Sequence, residues 1–316
     1  MSLGIIFHHF VGMGHPRIQG ALTADGLDRL LTEVGPEKFI DPRTWMEQRL
    51  NGALRANQYC LTFDDALQSQ IDVALPVLDS HGLKAFFFVY SSVLEGTLEL
   101  FEVYRYFKNM FYDDIEAFYV DFYAELARHQ GEDSFAKQLK SEEAHDYLSQ
   151  YSFYTIPDRR FRYVRDRLLS AGAYKAVMAG LMDQHDTTPR SLAKNIWIDR
   201  TGLERVRQGD HVIGLHSHTH PTNMETLPRD VQEDEYERNM RCLSSILGFR
   251  PETMAHASGS YNEHTLEILR SLGIKLGFRS DDSTGGGTML ELPRLDYTMF
   301  AERHLGSNRP VANGTL

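Results

Sequence analysis

Tyr59-Cys60-Leu61-Thr62-Phe63-Asp64-Asp65 decides the fold class of this chain. Apolar, aromatic and β-branched side chains run together and stop at two adjacent carboxylates. A run this short and this apolar is the pattern of a strand buried on both faces, as in a parallel sheet. Further runs of the same kind lie at residues 4–10, 84–90, 211–215, 253–257, 275–279 and 291–295. Helical patterns separate most of them. Residues 76–80 end at His81-Gly82 and residues 231–247 end at Gly248, and a glycine suits each C-terminal cap. Asn262 suits the N-cap of a helix running to Leu272-Gly273. Strands alternating with helices predict βα units with right-handed crossovers, an α/β fold whose functional groups gather at the strand ends.

The alternation breaks between residues 95 and 194, where no strand pattern occurs. Phe101, Tyr104, Phe111, Ile115, Phe118, Phe122 and Leu126 recur at helical spacing. Further helical patterns surround residues 161–169 and 174–182. The expected organisation is therefore residues 1–94 and 195–316 as two parts of one α/β domain, with a helical insertion at 95–194. The aromatic stripe reads as packing, with a substrate groove as the alternative.

The 316 residues are 42% hydrophobic and 24% charged, which excludes a disordered or collagen-like chain. A net charge of −11 argues against nucleic acid as a partner, since neutralising phosphates needs a basic surface. Cys60 and Cys242 form no CxxC pattern and no disulfide framework. The opening MSLGIIFHHF has neither a basic n-region nor a small-residue cleavage site, so a cytoplasmic location is expected. No stretch reaches the ~18 apolar residues of a membrane span. The oligomeric state is not legible.

Successive side chains of an extended chain point in different directions, so one of Asp64 and Asp65 can bind a metal while the other faces water or substrate. An Asp pair at a strand end also serves simply as a helix cap. The second element is Gly214-Leu215-His216-Ser217-His218-Thr219-His220-Pro221, again after a strand. His216 and His220 can converge on one ion with an Asp oxygen as third ligand, an open site with room for water and substrate. His218 is expected to point away from it. Metal-bound water loses a proton more readily, and a nearby carboxylate can activate it as a nucleophile. Taken alone, such a histidine string also reads as a polar loop.

Taken together, these motifs resemble the polysaccharide deacetylases, the NodB-homology or family 4 carbohydrate esterases. Ile6-Phe7-His8-His9-Phe10 is similar to the family's first strand, Leu61 to Asp65 to its TFDD motif, and Lys84 to Val89 to the following strand. His216-Ser217-His218-Thr219-His220-Pro221 is similar to its H(S/T)xxHP motif. Ser258-Gly259-Ser260-Tyr261-Asn262 and Leu292-Pro293-Arg294 match later motifs more loosely. The resemblance spans the chain outside the insertion. It implies a distorted (β/α) barrel that hydrolyses an N-acetyl or other N-acyl group from an amino sugar, with a carbohydrate as its partner. It further implies Asp65, His216 and His220 as metal ligands, Asp64 as general base, and a backbone N–H near Ser258 as an oxyanion donor. The donor set suits Zn2+ first, with Co, Ni, Mn or Fe as alternatives.

Two departures stand out. Ala257-Ser258 replaces the family's aromatic-proline pair, which alters the wall of the sugar pocket. The family's late histidine is absent from Leu292-Pro293-Arg294-Leu295-Asp296, so protonation of the leaving amine falls to His8, His256, His264 or a water. Arg294 either contacts an anionic substrate group or pairs with an internal acid. The alternative functions are an amide or ureide hydrolase of a small non-sugar compound and a catalytically silent carbohydrate-binding barrel. Five arginines between Asp158 and Arg167 either grip a pyrophosphate or form a solvated, salt-bridged helix face. Gly285-Gly286-Gly287 lacks the Lys-Ser/Thr of a phosphate-binding loop and reads as a flexible loop.

Overall fold

The computed structural model describes residues 2–131, 135, 138–149, 155–283 and 287–306. Its strands are β1 (Leu3–Phe7), β2 (Tyr59–Phe63), β3 (Ala85–Val89), β4 (Val212–Leu215), β5 (Thr253–Ala255), β6 (Leu276–Phe278) and β7 (Arg294–Asp296). They pair in parallel in the order β6-β5-β4-β3-β2-β1-β7. The sheet nearly closes on itself. Residues just ahead of β7 lie along β6, where the Leu292 N–H donates to the Gly277 carbonyl at 2.8 Å and Arg279 N–H to Leu292 at 2.9 Å. Seven parallel strands with surrounding helices thus make the distorted (β/α) barrel.

The run expected as a strand at 291–295 is shorter, and the reason is chemical. Pro293 has no N–H for a ladder, so pairing with β1 starts at Arg294. The seam also constrains Gly277. A β-carbon there would lie 2.6 Å from the Leu290 carbonyl oxygen and 2.9 Å from its Cα.

Both faces of the central strands are buried, with a period of two. Ala85, Phe87 and Val89 of β3 join the larger core, together with Leu27, Leu30, Leu31 and Val34 of the helix Ala24–Val34. Phe86 and Phe88 join a second cluster with Cys60, Ala255, Leu276, Phe278 and Trp45. The Trp45 and Phe278 rings lie 5.5 Å apart. The helix caps follow the sequence: Gly248 takes a left-handed conformation (φ 79°) after Leu247, and Asn262 and Thr265 form a reciprocal capping box.

The chain divides into two compact units, residues 1–99 with 195–316, and residues 100–194. Among its described residues the second unit has no strand. Its longest helices are Leu100–Phe111, Ile115–Gln130 and Ala171–Gln184. The aromatic stripe is split by Asp113 and Asp114, the latter capping the N–H of Glu116. Tyr104, Phe118, Phe122 and Leu126 are buried, whereas Phe101 and Phe111 are exposed. The stripe is packing: Phe161 sits 4.9 Å from Phe122 and 5.3 Å from Phe118. Within the arginine run, Arg165 pairs with Asp166 at 2.5 Å and Arg162 lies 3.8 Å from Asp158. Gly285 and Gly286 lie outside the described residues. No helix among the described residues is long and apolar enough to cross a membrane.

Candidate metal centre

Asp64 and Asp65 follow the last residue of β2, and the backbone there separates their roles. The Asp64 N–H is held by the Phe7 carbonyl at 3.1 Å, and its own carbonyl accepts from Gln70 Nε2 at 2.6 Å. Asp65 and Ala66 then adopt left-handed conformations (φ 74° and 55°). For non-glycine residues this costs about 1–3 kcal/mol each, and it persists only where the surroundings enforce it. The two neighbouring carboxylates consequently reach different partners.

Asp65 faces the histidines. Its Oδ1 lies 3.4 Å from His216 Nε2 and 3.3 Å from His220 Nε2, and the three potential ligand atoms all fall within 4.8 Å of one another. His216 Nδ1 lies 2.8 Å from the Ala255 carbonyl. A carbonyl accepts only, so that nitrogen carries the proton and Nε2 presents a lone pair towards Asp65. Asp65 Oδ1 is buried and has no hydrogen-bond partner. Two imidazole nitrogens around a buried, unsatisfied carboxylate oxygen fit a divalent cation. The set of two imidazoles and one carboxylate leaves coordination positions open. Burial alone would raise the Asp65 carboxyl, but His220, His216 and His8 hold it well below the usual carboxylate range.

Asp64 faces Arg294. Arg294 Nη1 donates to Oδ1 at 2.7 Å and Nη2 to Oδ2 at 2.8 Å, while Nε donates to the Arg279 carbonyl at 2.6 Å. The guanidinium is fully buried, 5.6 Å from the centre of the Phe88 ring. Gly4 makes room for it, since a β-carbon there would lie 3.0 Å from Arg294 Cγ. Burial would raise the Asp64 carboxyl, yet Arg294, and then His216, hold it below its ordinary value. The same charge acts in reverse on His216, where burial would lower the imidazole but Asp64 and Asp65 bring it above its usual range. For His220 burial prevails and the imidazole is lowered.

The remaining residues singled out from the sequence separate. His8 lies at the end of β1, half-buried and near enough to act electrostatically on Asp64, Asp65 and His220. His256 is buried, stacked 4.1 Å from Tyr261, with Nε2 2.8 Å from the Leu290 carbonyl, and burial pushes it down to about 4. His264 is exposed and meets Arg229 and Glu267. Ser258 is exposed in a left-handed turn (φ 53°). His218 turns to Ser91, its Nδ1 2.9 Å from the hydroxyl. Of the alternatives for Arg294, the structure takes the internal acid: no part of the guanidinium reaches solvent, so a substrate anion has no access to it.

Sequence reasoning passed over Gln70, Glu235 and Asn239, all buried. The signal for the last two was available: they stand four residues apart, on the face of the helix Arg229–Leu247 that also carries Tyr236, Met240 and Leu243. Polar residues on a buried face need partners.

Residues 177–277 match the polysaccharide deacetylase family. The stretch includes the histidine loop and the turn at Ser258, so the resemblance read from the motifs holds. The barrel is also that of solved deacetylases. Streptococcus pyogenes deacetylase PplD in complex with acetate has a TM-score of 0.55 at 18% identity, with 93% of this chain and 91% of that one covered. IcaB from Ammonifex degensii gives 0.54 at 14%, with 98% and 97% covered. A de-N-acetylase from Aggregatibacter actinomycetemcomitans gives 0.54 at 12%, with 93% and 94% covered. No curated protein matches in sequence.

Proposed function

We propose that this chain is a metal-dependent hydrolase that removes an N-acetyl or other N-acyl group from an amino sugar, in an oligosaccharide or a polysaccharide precursor. The observation that carries the reading is the buried, unpartnered Asp65 Oδ1 between the Nε2 atoms of His216 and His220. Asp65, His216 and His220 would hold the ion, with Zn2+ the first choice for two nitrogens and one oxygen. When bound, the ion polarises the amide carbonyl and makes a bound water more acidic.

The chain's own groups supply the proton transfers. Asp64 is kept ionised by Arg294 and lies 3.9 Å from His216 Nε2, beside the ligand set, so it can take the proton of the attacking water. The water oxygen joins the acyl carbon, the C–N bond breaks, and the amine nitrogen gains a proton. Of the three histidines considered for that proton, His256 is bound to a backbone carbonyl and strongly lowered, and His264 pairs with surface charges. His8, half-buried just beyond β1, is assigned the acid role.

The test is release of acetate, formate and ammonia from N-acylated amino sugars, their oligomers and small amides. Acetate release from an N-acetylated amino sugar, abolished by Asp64→Asn, is the expected result. Ammonia release from a non-sugar amide or ureide, without action on sugars, would reassign the substrate. Metal uptake without any turnover would leave a silent binding barrel.

A further inference from the structure

The loop carrying His216 and His220 is conformationally costly. Ser217 (φ 64°) and His220 (φ 57°) are both left-handed non-glycine residues, a cost of about 1–3 kcal/mol each. Two side chains one turn apart on the helix Arg229–Leu247 offset it. Glu235 Oε2 accepts the N–H of His218 at 2.9 Å and of Thr219 at 2.8 Å, and Oε1 accepts the Thr219 hydroxyl at 2.6 Å. Asn239 Oδ1 accepts the His216 N–H at 3.0 Å, while its Nδ2 donates to the Val89 carbonyl at 2.9 Å. The Ser92 N–H fixes the His218 carbonyl at 2.9 Å. Glu235 is buried, and among the described residues no ion pair involves it. Its work is therefore done through hydrogen bonds.

We infer that Glu235 is a positioning residue that holds the His216–His220 loop in its ligand-ready shape before an ion arrives, through hydrogen bonds rather than charge. The inference rests on the metal-binding reading above. Its chemistry separates bond from charge. In Glu235→Gln the amide oxygen can still accept both N–H groups, and the amide nitrogen can donate to the Thr219 hydroxyl, which accepts as readily as it donates. In Glu235→Ala the buried His218 N–H, the part-buried Thr219 N–H and the Thr219 hydroxyl lose their partner.

Two measurements on the full chain test this: Zn2+ affinity by competition with a chromophoric chelator, and amide hydrogen exchange of His218 and Thr219 in the metal-free protein. Glu235→Ala is expected to bind Zn2+ about 10–100-fold more weakly, the usual cost of losing a residue that orients ligands. Glu235→Gln is expected within about threefold of the wild type, its bonds being preserved. Thr219→Val, which removes one of the three bonds to the Glu235 carboxylate, is expected to lose about three- to tenfold. The Co2+ visible spectrum should change in Glu235→Ala and persist in Glu235→Gln. Unchanged Zn2+ affinity in Glu235→Ala overturns the inference, and so does Glu235→Gln behaving like Glu235→Ala, which would make charge the agent. If Glu235→Ala does not fold, Thr219→Val decides, and wild-type affinity and exchange there overturn the inference. Failure of the wild type to take up Zn2+ or Co2+ removes the metal-binding reading instead. The exchange data then judge the loop alone: the two amides protected in wild type and fast in Glu235→Ala or Thr219→Val uphold the inference, and amides already fast in wild type overturn it.

Discussion

The Arg294 guanidinium grips both oxygens of Asp64, at 2.7 and 2.8 Å, and so ties β7 to β2 across β1. The pair is buried, where removing one partner leaves an uncompensated charge. It fixes both the direction and the ionisation of the carboxylate assigned as base.

Arg294→Lys therefore tests positioning apart from charge. A lysine supplies one point charge where the guanidinium supplies a planar fork. Turnover is expected to fall about 10²-fold, the order of loss that a base misplaced by about 1 Å produces. Because Arg294 lowers the Asp64 carboxyl, its loss in Arg294→Met raises that carboxyl, and the acid limb of kcat/KM should move to higher pH. Folding should weaken by about 3–5 kcal/mol in Arg294→Met, the cost of breaking a buried pair. A pH–rate profile and a urea titration check both; an unmoved acid limb would separate Arg294 from the base.

The strands were legible because β-branched and aromatic runs ended at polar pairs, and the histidine spacing pointed to the cluster that His216 and His220 form with Asp65. Three things were not. The start of β7 depended on Pro293 lacking an N–H, which matters only once β1 is known to be its neighbour. The partner of Arg294 was ambiguous because Asp64 is 230 residues away in sequence. Glu235 and Asn239 were hidden because a polar residue on a helix looks solvated until the face it occupies is known.

Gly277→Ala should damage the barrel seam. The added methyl group would meet Leu290 main-chain atoms at 2.6–3.0 Å, and backbone cannot step aside as a side chain can. A loss of about 1–3 kcal/mol is expected from such overpacking. Gly82→Ala is the control, since no atom lies within 4 Å of its β-carbon position and the cost there comes from its positive φ of 64°. Denaturant midpoints of the two variants distinguish crowding from backbone strain.

Lys108 supplies a stability prediction in the helical unit. Its ammonium lies 5.4 Å from the centre of the Phe161 ring, and burial, with Arg162 and Arg165 nearby, brings it down to about 7. The unfolded chain, at 10.5, binds this proton more readily than the folded one, so the folded state bears the full cost below about pH 7 and none above about pH 10.5. Lys108→Met should therefore stabilise the unit most at pH 6–7, with the gain shrinking as pH rises towards 10. Amide exchange of residues in the helix Ala171–Gln184 at several pH values follows it; a gain independent of pH would mean that packing alone is responsible.

Metal removal provides the last prediction, because the ligand set links ion, proton and fold. An ion bound only by the folded chain stabilises it by about 2.7 kcal/mol at one hundred times its Kd, so Zn2+ should raise Tm and a chelator should lower it. The nitrogen lone pairs must be free for this. His216 is raised by Asp64 and Asp65 and so takes up a proton early as the pH falls, and a proton on Nε2 competes with the ion. The Zn2+-dependent gain in Tm is expected to shrink on acidification, and binding at neutral pH should release protons, visible as buffer-dependent heats in calorimetry. His216→Ala should abolish the gain at every pH. Asp64→Asn should keep it while stopping turnover, because its partner is Arg294 and the orphaned oxygen facing the histidines belongs to Asp65. A Zn2+-dependent gain surviving in His216→Ala would move the ion away from this site.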